Sequence, residues 1–90
     1  GKDELKILFT PGHSPASISF YNKQDGFVIS GDVLFKQSIG RTDLPGGDYD
    51  TLIKSIKNEL LVLPDETVVY SGHGAATSIG AEKRNNAYLQ

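Results

Sequence analysis

The stretch Val28-Ile29-Ser30-Gly31-Asp32 decides the fold: an apolar, β-branched run ends on a glycine and delivers a carboxylate. The same order recurs on either side of it, in Phe9-Thr10-Pro11-Gly12-His13-Ser14-Pro15 and in Val69-Tyr70-Ser71-Gly72-His73-Gly74. His13 and His73 are the only two histidines among the 90 residues. Rigid strands aim side chains and glycine lets the backbone turn sharply behind them, so three strand ends of this kind suit a metal site on sheet-edge loops. His13, Asp32 and His73 are therefore the candidate metal ligands. Singly each has a bland reading, a histidine hydrogen-bonded in a glycine turn or an aspartate that makes a turn or caps a helix. Their equivalent placement on separate strands favours ligation.

Outward from these strand ends, Leu5-Lys6-Ile7-Leu8-Phe9 reads as a strand stopped by Pro11-Gly12. Ser17-Ile18-Ser19-Phe20-Tyr21 alternates with period two, turn residues fill Asn22 to Gly26, and Phe27-Val28-Ile29-Ser30 returns, which predicts an antiparallel hairpin. From Val33 to Gly47 no period holds, and Ser38 to Gly47 reads as a long polar loop of the kind that carries function. Asp48 or Asp50 caps a helix whose apolar residues Leu52, Ile53, Ile56, Leu60 and Leu63 fall near a 3.6-residue spacing and which ends at Pro64-Asp65. Thr67-Val68-Val69-Tyr70 is a further strand, and Ser78 or Gly80 starts a short helix through Glu82, Lys83 and Arg84. The expected architecture is α/β and layered, a mostly antiparallel sheet with one long and one short helix. Leu52, Ile53, Ile56 and Leu60 are expected to bury against Phe20, Val28, Ile29 and Val69.

Composition narrows the function. A hydrophobic share of 38% supports one small core and a charged share of 22% argues against disorder. The absence of cysteine excludes disulfide staples, thiolate zinc sites and a cysteine nucleophile. A net charge of −2 with scattered lysines gives no basic field for nucleic acid or an acidic membrane surface. No apolar run approaches transmembrane length, so a cytoplasmic location is the expectation. With no methionine anywhere, the chain is expected to be a segment of something longer.

Histidine with carboxylate oxygen and no sulfur suits zinc, manganese or iron, and Asp32 is placed to bridge two cations, whose field would lower the pKa of bound water toward neutrality. A Ser-His-Asp arrangement from Ser14 or Ser30, His73 and Asp32 is disfavoured because no Gly-x-Ser-x-Gly elbow precedes a helix.

Over essentially its whole length, residues 1–90, the chain resembles the C-terminal half of a metallo-β-lactamase-fold hydrolase, close to the glyoxalase II-like (hydroxyacylglutathione hydrolase) branch. The stretches that carry the resemblance are Thr10 to Ser17, Ser30-Gly31-Asp32-Val33-Leu34-Phe35, Gly40-Arg41-Thr42-Asp43-Leu44-Pro45-Gly46-Gly47, Tyr70-Ser71-Gly72-His73-Gly74 and Glu82-Lys83-Arg84-Asn85-Asn86. The resemblance implies half of an αβ/βα sandwich and a site of two zinc ions, with iron or manganese as alternatives. In it His13 completes the first metal site, Asp32 bridges as the catalytic carboxylate and His73 completes the second. It implies attack of metal-bound hydroxide on a small thioester, glutathione thioesters first. Arg41 either orders its loop or meets an anionic substrate group, with Asp43 as its partner, and Ser14 either supports His13 through a hydrogen bond or starts the turn after it. The family's His-x-His-x-Asp-His, source of four metal ligands, does not occur in this sequence. The isolated chain is therefore expected to be inactive, to hold metal poorly, and to associate with a second copy or with the missing N-terminal half. The alternatives are a persulfide dioxygenase-like iron enzyme, which shares the Gly-Arg-Thr-Asp loop, and a non-catalytic structural half-domain.

Overall fold

The computed structural model describes residues 5–72 and 74–90. In chain order it forms β1 (Lys6–Phe9), β2 (Ile18–Asn22), β3 (Phe27–Gly31), β4 (Leu34–Phe35), β5 (Ser38–Ile39), α1 (Tyr49–Ser55) running into a π-helical turn (Ile56–Leu60), β6 (Val68–Ser71), β7 (Thr77–Ser78), α2 (Ile79–Asn85) and a closing 3-10 turn (Ala87–Leu89). Five strands make one sheet in the order β1-β2-β3-β6-β7, and β4 with β5 makes a separate small hairpin. Every pairing is antiparallel except β3 with β6, which run parallel because the hairpin and α1 form the crossover between them. The mixed α/β class and the mostly antiparallel sheet are as the sequence predicts.

Register decides what each face of the sheet carries. Val28 stands opposite Tyr21 and Val69, and Leu8 opposite Ser19, so these side chains share one face. Phe20 stands opposite Ile7 and Ile29, and Ile29 opposite Tyr70, so these share the other. The first face is the core: Leu8, Tyr21, Val28 and Val69 are buried together with Leu52, Ile56 and Leu60 from the helix, Val33 and Leu34 from the hairpin, and Ile79 and Leu89 from the C-terminal turns. The expected packing of the helix is thus right for Val28 and Val69 and wrong for Phe20 and Ile29. Side chains alternate along a strand, and apolar residues occupy both parities of β2 and β3, so composition cannot say which parity the helix covers. Ile53 is only partly buried, at the margin of the core.

Asp48, not Asp50, caps α1, its Oδ1 accepting from the Thr51 N–H at 3.1 Å. Leu52, Ile56 and Leu60 recur every four residues and are fully buried, each worth about 1.5–3 kcal/mol in burial alone. The last turn widens, with the Leu61 N–H bonding back to Ile56. Ser78 caps α2, accepting from the Ala81 N–H at 3.2 Å. The hairpin of β4 and β5 lies where the sequence reads as an aperiodic loop. Two-residue strands are too short to show a period, although Leu34 in it and Val33 just before it are buried. Among the described residues no helix is long and apolar enough to cross a membrane.

Candidate metal centre

His13 sits on the loop from β1 to β2, and that loop is pinned to α1. The Gly12 carbonyl accepts from the Asp48 N–H at 2.7 Å and the Pro11 carbonyl from Ser55 Oγ at 2.7 Å. Gly12 has φ +132, and a Cβ on it would overlap the backbone of Leu52, so only glycine permits this docking. Ser14 closes the turn: its Oγ lies 3.0 Å from Ser17 Oγ, its N–H donates to that same oxygen, and its carbonyl accepts from Gly12. Of the two roles open to Ser14, these contacts are those of a turn residue.

The imidazole of His13 is oriented by main chain. Its Nδ1 lies 2.8 Å from the Arg41 carbonyl oxygen. A carbonyl can only accept, so Nδ1 carries a proton and Nε2 is the ring nitrogen left to meet a ligand. That Nε2 faces the Asp32 carboxylate, 3.9 Å from Oδ2.

Asp32 stands just past the end of β3, where the pairing with β6 slips between Ile29 and Gly31. An extra residue of this kind bends a strand and re-aims the side chains beyond it. The turn is tied by the Val33 N–H to Ser30 carbonyl bond at 3.0 Å and by Ser30 Oγ, which donates to the Leu34 carbonyl at 2.8 Å. Two neighbours must stay small. A Cβ on Gly40 would overlap the Asp32 carbonyl oxygen, and one on Gly72 would stand 2.9 Å from Asp32 Oδ1. The strand end that leads to the second histidine is thereby packed directly under the carboxylate. His73 itself lies outside the described residues, and among those described no three His, Asp or Glu side chains converge.

Arg41 grips Asp43 through two hydrogen bonds, Nε to Oδ1 at 2.8 Å and Nη2 to Oδ2 at 2.9 Å. The pair is solvent-exposed. The Arg41 guanidinium holds the Asp43 carboxyl below its usual range, chiefly through the hydrogen bond, and Asp43 in turn raises Arg41. So the side chain of Arg41 orders its own loop while its carbonyl orients His13. His13, Asp32, Phe35, Lys36, Ile39 and Arg41 line a cavity of about 570 Å³, with Ser38, Gly40, Gly74 and Ala75 completing its wall.

Sequence reasoning assigns no role to one buried polar pair, Glu82 and Asn86. The signal is in the spacing: Ile79, Glu82, Asn86 and Leu89 recur three and four residues apart, which puts a carboxylate and an amide on the apolar face of the terminal helix.

The model of the metallo-beta-lactamase superfamily matches residues 1–73, and the chain belongs to that superfamily. It is 54% identical over 89 residues to the "Probable metallo-hydrolase YqgX" of Bacillus subtilis, covering 99% of this chain and 42% of that protein. It is 50% identical over 85 residues to "Hydroxyacylglutathione hydrolase GloC" of Haemophilus influenzae, covering 94% of this chain and 40% of that one. Among solved structures, the BLEG-1 B3 metallo-beta-lactamase superposes with a TM-score of 0.95 at 52% identity, covering 99% of this chain and 43% of its own. TTHA1623 in a di-iron-bound form does so with a TM-score of 0.91 at 48% identity, covering 94% and 42%. The chain thus spans about two fifths of the length of each of these relatives.

Proposed function

We propose that the chain is the C-terminal half of a metal-dependent thioester hydrolase of the hydroxyacylglutathione hydrolase type, with His13, Asp32 and His73 as metal ligands. The observation that carries the reading is the orientation of His13: its Nδ1 proton is held by a main-chain carbonyl and its Nε2 is turned toward the Asp32 carboxylate, at the wall of a cavity. Metal-ligating histidines are held in this way, by a hydrogen bond from the nitrogen that does not bind the metal. The donor set fits. A histidine nitrogen and a carboxylate oxygen face each other 3.9 Å apart, donors of the kind that would hold zinc or iron. When bound, the cation supplies Lewis-acid charge and lowers the pKa of water at the site.

The chain's own residues do the rest. Asp32 contributes the negative charge, Arg41 and Asp43 keep the carbonyl over His13, and the 570 Å³ cavity offers room for a small thioester. The likeness to GloC supports a glutathione thioester as substrate, and the di-iron form of TTHA1623 supports iron as the alternative to zinc. A His–Asp pair with one further histidine leaves a two-metal site short of ligands. By itself the 90-residue chain is therefore proposed to be inactive and to self-associate through its uncovered sheet face.

Thioester hydrolysis measured on this chain, and on a longer form that carries it, tests the reading with zinc supplied to both. Turnover is expected from the longer form alone, and His13→Ala should remove both metal and turnover. A metal-loaded longer form without thioesterase activity overturns the substrate, and a His13→Ala variant with unchanged metal content overturns the site.

A further inference from the structure

Glu82 is 1% exposed, and hydrogen bonds satisfy its carboxylate. Oε1 accepts from the Gln37 backbone N–H at 2.7 Å and from Asn86 Nδ2 at 2.9 Å, while Oε2 accepts from Thr77 Oγ1 at 2.6 Å. Asn86, wholly buried, also donates from Nδ2 to the Ser38 carbonyl at 3.1 Å. A carboxylate removed from water must find donors, and these come from the hairpin turn, from β7 and from Asn86, which ends α2. Two of the four bonds end on the hairpin, at Gln37 and Ser38. Gln37 has φ 60, a left-handed conformation uncommon outside glycine, and it is in that conformation that its N–H meets Glu82. An apolar side chain could fill the same space, but it would carry no direction. The hydrogen bonds fix where the hairpin stands.

Three residues beyond Ser38 is Arg41, whose carbonyl orients His13. Between them Gly40 bonds to the Val33 carbonyl and lies against the Asp32 carbonyl, so the hairpin base cannot shift without moving Asp32. We propose that Glu82 is a positioning residue for the candidate metal centre: through Gln37, and through Asn86 to Ser38, it holds the β4–β5 hairpin so that the Arg41 carbonyl fixes the tautomer of His13.

Ring-nitrogen NMR reads this directly, because the chain carries two histidines and the His13 signal is assigned by its absence in His13→Asn. The unaltered chain is expected to show His13 protonated at Nδ1. Glu82→Ala is expected to return the ring to the tautomer mixture of a free imidazole and to speed exchange of the Gln37 amide at least tenfold. Glu82→Gln should retain the native signal, because its amide oxygen can still accept from Gln37 and Asn86 and its NH2 can donate to the Thr77 hydroxyl. A folded Glu82→Ala variant with native His13 overturns the proposal, as does a Glu82→Gln variant that shifts as far as Glu82→Ala. Should Glu82→Ala fail to fold, Asn86→Ala and Thr77→Val decide, since each removes one donor to Glu82 but only the first frees the hairpin. A His13 shift in Asn86→Ala alone supports the proposal; equal shifts, or none, overturn it. Zinc affinity of a longer form should also fall about tenfold in Glu82→Ala, the scale of lost outer-shell support. That readout alone rests on the proposed metal centre: a protein that takes up no zinc sinks that reading and leaves the tautomer test standing.

Discussion

The two faces of the sheet are nearly equal in apolar content and opposite in circumstance. On the inner face Val28 and Val69 are 0% and 1% exposed beneath α1. On the outer face Ile7, Phe9, Ile29 and Tyr70 are 50%, 72%, 40% and 49% exposed, in a row that register carries from β1 to β6. A single-layer domain would put polar side chains there, because antiparallel sheets with one wet face alternate apolar with polar. Apolar residues on both parities belong to a sheet that is covered twice, and the described residues supply one cover. The candidate metal centre lies on neither face. It stands at the rim, where β1, β3 and β6 end, so stability, association and chemistry should respond to different substitutions.

The largest effect is expected on the inner face. Ile56→Asp removes a fully buried side chain and inserts a charge with no partner. The lost burial costs about 1.5–3 kcal/mol and the unpaired charge several more, enough to exhaust the stability of a small domain. Circular dichroism should show no cooperative melt. A soluble variant that melts cooperatively breaks the assignment of faces.

At the rim, Asp32→Ala should separate chemistry from stability. Its side chain is about half exposed, so the melting temperature of a longer form should move little. Turnover should fall by more than the roughly 10–100-fold that loss of an outer-shell partner costs. Steady-state kinetics with metal analysis checks this, and near-native turnover at full metal content would remove Asp32 from the chemistry.

The outer face sharpens the comparison through association. The 90-residue chain is expected to sediment as a dimer at micromolar concentration, because apolar surface and an open strand edge are left to pair. Phe9→Asp should shift it to monomer while changing stability by no more than about 0.5 kcal/mol, as surface substitutions do. A monomeric unaltered chain would mean that the outer face tolerates water.

The smallest effect lies away from both faces. Asp65, after the helix, pairs with Lys83 at 2.8 Å and Arg84 at 3.8 Å, and Lys83 above all holds its carboxyl below the ordinary 3.8. A depressed carboxylate contributes stability that is complete above its unfolded-state pKa and is lost as pH falls through the folded-state value. Urea midpoints should therefore place Asp65→Asn slightly below the unaltered chain at pH 7. The two should converge well below pH 3.8, and salt should shrink the difference, since the pair is exposed.

Much of this was legible in the order of residues. The apolar runs before Gly12, Gly31 and Gly72 announced β1, β3 and β6, and the spacing of Leu52, Ile56 and Leu60 announced the helix while leaving its cap between Asp48 and Asp50. These are local signals, set by backbone propensity and by periods of two and 3.6 residues, and they survive without tertiary context. The pairing of Arg41 with Asp43 was legible for the same reason, since the two stand in one short stretch of loop.

Only tertiary structure could decide the rest, because it depends on contacts between residues far apart in the chain. Which parity of β2 and β3 meets the helix is a matter of register, and it sent Phe20 and Ile29 outward. The hairpin of β4 and β5 is too short to have a period and is held from 45 residues away, by Glu82 on Gln37. The sequence named His13 and Asp32, but the proton on Nδ1 was set by the carbonyl of Arg41, 28 residues distant. A side chain's identity is written at its own position; its protonation, direction and cover are set by whatever the fold brings beside it.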